Sequence, residues 1–217
     1  MASKLTYTFD NGPWPGATDP LLDFLAERDI KATFFFVGEQ LADPACRKLA
    51  ERAHAEGHWI GNHTYTHSVP LGKDGPIERV RHEIGDTEKL IGDLAHPRKF
   101  FRPNGGGGIL GSHILSPEAR DYLSENEYTM VTWNSVPRDW VEPHRDWLAR
   151  AEADVENLHW PLLVLHDKFI ARMLDTLAVF HDGLMEKGVE IVQDFEPAYL
   201  PIDRGVVRPE AAELVAA

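Results

Sequence analysis

Short apolar runs alternate with longer amphipathic stretches along this chain, and the alternation predicts strands and helices in turn. Residues 5–9 read as a first strand. A helix over 19–28 follows, with Asp19 placed to cap it and Pro20 at its first position. The run 32–37 contains Phe34, Phe35 and Phe36 and is too continuously apolar for a half-exposed strand. It predicts a buried parallel one. A helix over 44–56 stops at Gly57, and 58–62 is a short strand. The same beat continues as helix 76–94, strand 100–101, a helix opened by Ser116-Pro117-Glu118, and strand 128–133. Helix 147–158, buried strand 162–165, a long helix 169–187 ended by Gly188, and strand 189–192 complete it.

This order implies an α/β fold of parallel strands with helical crossovers, as an open sheet or a barrel. The length of 217 residues fits one domain, 1–217, with a weakly patterned tail from about Asp203. Polar residues capable of chemistry gather where predicted strands end: Asp10, Asn11, His63, His67, Arg102, Asp139 and His166. In parallel α/β folds those strand ends share one rim, and active sites are built there.

Charge narrows the partners. A formal net charge of -13 opposes nucleic acid, which needs clustered Lys and Arg, and opposes docking on an anionic membrane. A small-molecule or oligosaccharide substrate is compatible with it. Cys46 is the single cysteine, so no intrachain disulfide forms. No basic segment followed by an apolar one precedes the first strand, and no apolar run is long enough to span a bilayer. The expected compartment is the cytoplasm.

Each motif has a plain structural explanation beside a chemical one. His63 and His67 are flanked by Gly61, Asn62, Ser68 and Pro70, poor helix material, so a loop aiming both rings at one ion is plausible. In a chain with 11 histidines such a pair also arises by chance. Asp10 and Asn11 precede Gly12-Pro13 and suit either a turn or a site. Arg102-Pro103-Asn104-Gly105 and Arg138-Asp139-Trp140 fit surface turns as well. His166-Asp167, directly after a buried strand, is more specific. Phe34–Phe36 and the six tryptophans suit a core better than a sugar cleft, with Trp14 and Trp133 lying nearest the motifs.

Taken in order, these pieces resemble the polysaccharide deacetylase family, also called carbohydrate esterase family 4. The resemblance rests on Thr8-Phe9-Asp10-Asn11-Gly12, His63 to His67, Phe101 to Gly105, Arg138-Asp139-Trp140 and Leu165-His166-Asp167, with Thr33-Phe34-Phe35 matching a second strand. It implies a distorted (β/α) barrel with outer helices and a divalent metal, commonly zinc, used to hydrolyse an N-acetyl or O-acetyl group. Carried over by residue, the resemblance makes Asp10 the general base, and Asn11, His63 and His67 the metal ligands. His166 becomes the general acid, Arg102 orients Asp10, and Asp139 pairs with Arg102. Pro103, Trp140 and Leu165 become substrate contacts.

The chain departs from the family pattern where Asn11 replaces a metal-binding aspartate, where Val136 replaces an acid, and where Gly105–Gly108 open the loop after Arg102. Three functions are consistent with this pattern. The first is metal-dependent deacetylation of an amino sugar or oligosaccharide. The second is hydrolysis of a small amide, imide or ureide with altered or no metal. The third is a catalytically silent domain that binds carbohydrate or a partner.

Overall fold

The computed structural model describes all 217 residues. Nine strands form one sheet: β1 (Lys4–Asp10), β2 (Thr33–Phe36), β3 (Trp59–Asn62), β4 (Phe100–Phe101), β5 (Thr129–Met130), β6 (Leu162–His166), β7 (Glu190–Ile191), β8 (Ile202–Asp203) and β9 (Val206–Val207). The order is β6-β1-β2-β3-β4-β5-β8-β9, with β7 also paired to β1. Pairings among β1 to β7 are parallel, while β5–β8 and β8–β9 are antiparallel. The α/β class is as expected. The strand path stays open rather than closing as a full barrel: a single parallel bridge, Ser135 to Leu163, links the segment after β5 back to β6. No helix is long and apolar enough to cross a membrane.

Strand parity decides what each residue meets, because successive side chains point to opposite faces. On β1, Leu5, Tyr7 and Phe9 join the main core of 29 buried residues under the helices Thr18–Glu27, Pro44–Ala55, Trp147–Asn157 and Leu174–Glu186. Thr6, Thr8 and Asp10 occupy the other face. On β2, Phe34 and Phe36 join that core, whereas Phe35 packs in a separate cluster with Phe100 and Phe195. The phenylalanine run is therefore core on both faces.

Local signals explain two of the helix starts. Asp43 accepts hydrogen bonds from the N–H groups of Ala45 and Cys46, and Ser116 accepts from Ala119 N–H, each ahead of a proline at the first turn. Asp19 is not a cap, because the first helix already begins at Thr18. The predicted helix 76–94 is broken into Ile77–Val80, a π-helical turn Arg81–Asp86, Thr87–Ile91 and a 3-10 turn. The predicted helix 169–187 splits into Asp167–Ile170 and Leu174–Glu186, with Met173 at φ -134 between them. The segment from Asp203 onward is structured: β8 and β9 pair as a hairpin, and Leu214 is buried with its carbonyl accepting Leu115 N–H. Leu214 and Ala211 extend a second core, which short-range periodicity could not reveal.

Candidate active site

The parallel register places Asp10 opposite His166 at the ends of neighbouring strands β1 and β6. Around them lies a cavity of about 310 Å³ lined by Asn11, His63, His67, Pro103, Asn104, Gly105–Gly108, Trp133, Val136, Trp140, Val164 and Phe169. Five of the seven polar residues expected at the rim line this cavity: Asp10, Asn11, His63, His67 and His166. Arg102 and Asp139 stand behind it, fully buried, as partners of the others.

Asp10 is held by Arg102, whose Nη1 lies 2.9 Å from its Oδ1 and 2.6 Å from Thr8 Oγ1. The same guanidinium donates to the carbonyls of Val131 and Thr132 and lies 4.1 Å over the Phe35 ring. A fully buried cation is costly unless paired and hydrogen-bonded, and here it is both. Asp10 Oδ2 is left facing His63 Nε2 at 3.6 Å.

The second pair differs from expectation. Asp139 does not meet Arg102; it holds His166. Its Oδ1 lies 2.8 Å from His166 Nδ1, and its Oδ2 accepts the His166 backbone N–H at 2.8 Å. Arg102 already faces Asp10, whereas Asp139 is carried by the 136–141 loop to the end of β6. Burial disfavours the imidazolium, but the charge and hydrogen bond of Asp139 outweigh it, helped by Asp10 and Asp167. The net effect lifts His166 above the ordinary imidazole range. Trp140 packs edge-on against the ring at 4.8 Å.

A further correction concerns Leu165. Parity that aims His166 into the cavity aims Val164 there too and turns Leu165 into the main core. Pro103 and Trp140 line the cavity as expected. Trp133 lines it as well, whereas Trp14 is absent from its wall and donates its indole N–H to the Asn11 carbonyl.

The remaining face carries the three expected ligands. His63 Nδ1 lies 2.8 Å from the Arg102 carbonyl, which fixes the ring proton there and leaves Nε2 as a lone pair. Burial holds both His63 and His67 neutral, each down to about 3. Their rings stand 4.6 Å apart. Asn11 Oδ1 is buried and has no hydrogen-bond partner. No group of three His, Cys, Asp or Glu side chains is arranged to hold an ion. Two neutral imidazoles, one orphaned amide oxygen and a carboxylate oxygen 3.6 Å from His63 Nε2 are the kinds of donor that a divalent cation takes.

Four of the eight non-glycine residues with left-handed φ lie in these loops. Asn11, Thr64, His67 and Arg138 all take left-handed φ, at 71°, 66°, 49° and 59°. Sequence reasoning missed what holds the histidine loop there. Glu83, on the π-helical turn, is 2% exposed and accepts from Tyr65 N–H, Thr66 N–H and Thr66 Oγ1, with Arg79 beside it. Burial works against its charge, but these donors outweigh it and hold the carboxyl below the usual range. Asn62 Oδ1 accepts Thr64 N–H, and Asn104 donates to the His67 carbonyl. Asp167, noted in the sequence only as the neighbour of His166, is buried beneath the Asp10 turn and bonded to Thr18, and burial pushes its carboxyl up to about 7.

The profile of the family described as polysaccharide deacetylase matches residues 2–131. That range holds Asp10, Asn11, His63, His67 and Arg102; Asp139 and His166 lie beyond it. A chitooligosaccharide deacetylase of Rhizobium leguminosarum bv. phaseoli is 40% identical over 150 residues, 66% of this chain and 59% of the relative. A peptidoglycan-N-acetylglucosamine deacetylase of Bacillus cereus is 34% identical over 139 residues, 64% of this chain and 46% of the relative. The chain therefore spans less than two-thirds of the length of these curated relatives. Among solved structures, a peptidoglycan N-acetylglucosamine deacetylase superposes with TM-score 0.71 and 27% identity, covering 94% of this chain and 90% of the other. A family 4 acetyl xylan esterase from Clostridium thermocellum, in complex with a cobalt ion, gives TM-score 0.71 at 25% identity and covers 87% of each chain.

Proposed function

This chain belongs to the polysaccharide deacetylase family, and we propose that it hydrolyses the N-acetyl group of an amino sugar or oligosaccharide. The observation that carries this reading is the register pair Asp10–His166, a carboxylate and an imidazole facing one cavity with each fixed by its own buried partner. Water and an amide give a carboxylic acid and an amine, so the reaction needs one proton removed and one delivered. Asp10 accepts the proton of the attacking water at Oδ2, while Arg102 on Oδ1 holds it in orientation. His166, kept protonated by Asp139, delivers a proton to the leaving nitrogen.

Asn11, His63 and His67 would hold a divalent ion, with zinc as first choice from its taste for imidazole and oxygen donors. Bound there, the ion supplies Lewis acidity, polarising the amide carbonyl and making water more acidic. His63 and His67 present neutral nitrogens, and Asn11 adds an oxygen without charge. The relatives named above support the substrate class, and the retained Asp10, Arg102, Asp139 and His166 support an enzyme over a silent domain. Acetate release from N-acetylated chitooligosaccharides, measured with zinc present, tests the reading. Release that disappears in His166→Ala is expected; no release from any N-acetylated sugar overturns it.

A further inference from the structure

The walls of the cavity are unlike its floor. Away from Asp10, Asn11 and the three histidines, its lining is Pro103, Asn104, Gly105–Gly108, Trp133, Val136, Trp140, Val164 and Phe169. The few polar side-chain atoms there are already engaged. Asn104 donates to the His67 carbonyl and accepts Gly106 N–H, and Trp133 Nε1 donates to the Gly108 carbonyl at 2.8 Å. The Trp140 indole N–H, beside His166, is the one side-chain handle left over. The glycine loop itself lies flat on its neighbours: a Cβ at Gly105 would come within 2.5 Å of the Trp133 ring, and one at Gly108 within 2.8 Å of Val136. Glycine at these positions keeps the wall thin and the cavity wide.

A sugar ring set against Trp133, Val136, Val164 and Phe169 would find no free side-chain partner there, and each hydroxyl buried without one costs roughly 1–3 kcal/mol. An acyl chain would meet aromatic and aliphatic surface. Of the two halves of an N-acylated amino sugar, only the acyl half suits these walls.

We propose that the cavity receives an N-acyl group larger than acetyl, an aliphatic or aromatic acyl chain, while the amino-sugar half remains outside in solvent. The proposal rests on the hydrolytic reading above and extends it to acyl specificity, with Val136, Trp133 and the glycine loop as the determining wall. The bond broken is still the amide C–N bond, with water supplying hydroxyl to the acyl carbon and a proton to nitrogen.

The test compares kcat/KM for N-acetylglucosamine and N-butyrylglucosamine on zinc-supplemented wild-type protein and on Val136→Phe. Two added methylenes that bury fully favour the butyryl substrate by about tenfold. Val136→Phe fills the wall and shrinks that ratio. A wild-type preference for acetyl, or a ratio indifferent to Val136→Phe, overturns the proposal. If neither these sugars nor N-acetylated chitooligosaccharides are hydrolysed, the hydrolytic reading fails instead. The acyl pocket is then decided by calorimetric binding of the same two sugars to the Asp10→Asn protein, a comparison that also serves if Val136→Phe does not fold. Tighter binding of the butyryl sugar supports the pocket, and equal or weaker binding overturns it.

Discussion

The proton-handling side of the site and the ligand side are built on opposite principles. Asp10, Arg102, Asp139 and His166 are saturated with partners: each buried charge meets an opposite one within 2.9 Å. His63 and His67 are neutral and stand 4.6 Å apart ring to ring, and Asn11 Oδ1 has no partner at all. The first side is complete from this chain alone. On the proposed reading, the second is completed by a divalent ion. On the proposed mechanism, folding preorganises the base Asp10 and the acid His166, whereas the uncharged Asn11 attracts an ion less than a carboxylate would.

The largest effect that breaks this contrast is loss of the base. Asp10→Asn should lower kcat by ~10²–10⁴-fold, the usual worth of a positioned general base. Steady-state kinetics on an N-acylated sugar measures this, and wild-type turnover would remove Asp10 from the mechanism. Next comes Arg102→Met, which leaves Asp10 buried without its cation; such breakage costs about 3–5 kcal/mol. Urea unfolding should show the loss, and partial recovery is expected in Asp10→Asn/Arg102→Met.

On the ligand side, removing the charge of Glu83 should loosen the His63–His67 loop. Glu83→Gln is expected to weaken zinc binding by about 10–100-fold, the range seen when groups supporting metal ligands are altered. Zinc competition against a chelating dye reads it, and unchanged affinity would make Glu83 a structural residue only. In the other direction, Asn11→Asp places a unit charge at the ion. At an effective dielectric constant of about 20 this is worth roughly 4 kcal/mol even at 4 Å, so affinity should rise at least ~10-fold after desolvation is offset.

The smallest effect is a pH signature. His166 is raised above its ordinary value, so its stabilising contribution is fully present below about 6.5 and is lost as pH rises through the folded value. Asp139→Asn should therefore cost more stability at pH 6 than at pH 9, and should move the alkaline limb of kcat/KM toward lower pH. A limb that stays in place would detach Asp139 from the acid.

Much of this was legible in the chain. Strand ends carrying Asp10, His63, Arg102 and His166 follow from apolar runs that stop at polar residues, and the rim rule gathers them. What failed was pairing. Whether Asp139 meets Arg102 or His166 depends on which loop crosses β6, a long-range matter that no local spacing encodes. Leu165 was a different kind of miss, since period-2 alternation already sends it away from any cavity that His166 enters. Glu83 left no local trace. It acts 17 residues beyond Thr66 through a π-helical turn inside what reads as an ordinary amphipathic helix.

The claim that the ligand side is finished by an ion is tested most directly by zinc content after loading and desalting, measured by elemental analysis on wild-type protein and on His63→Ala. The account predicts close to one zinc per wild-type chain and a large loss in the variant. Equal zinc in both proteins, or none in either, would contradict it.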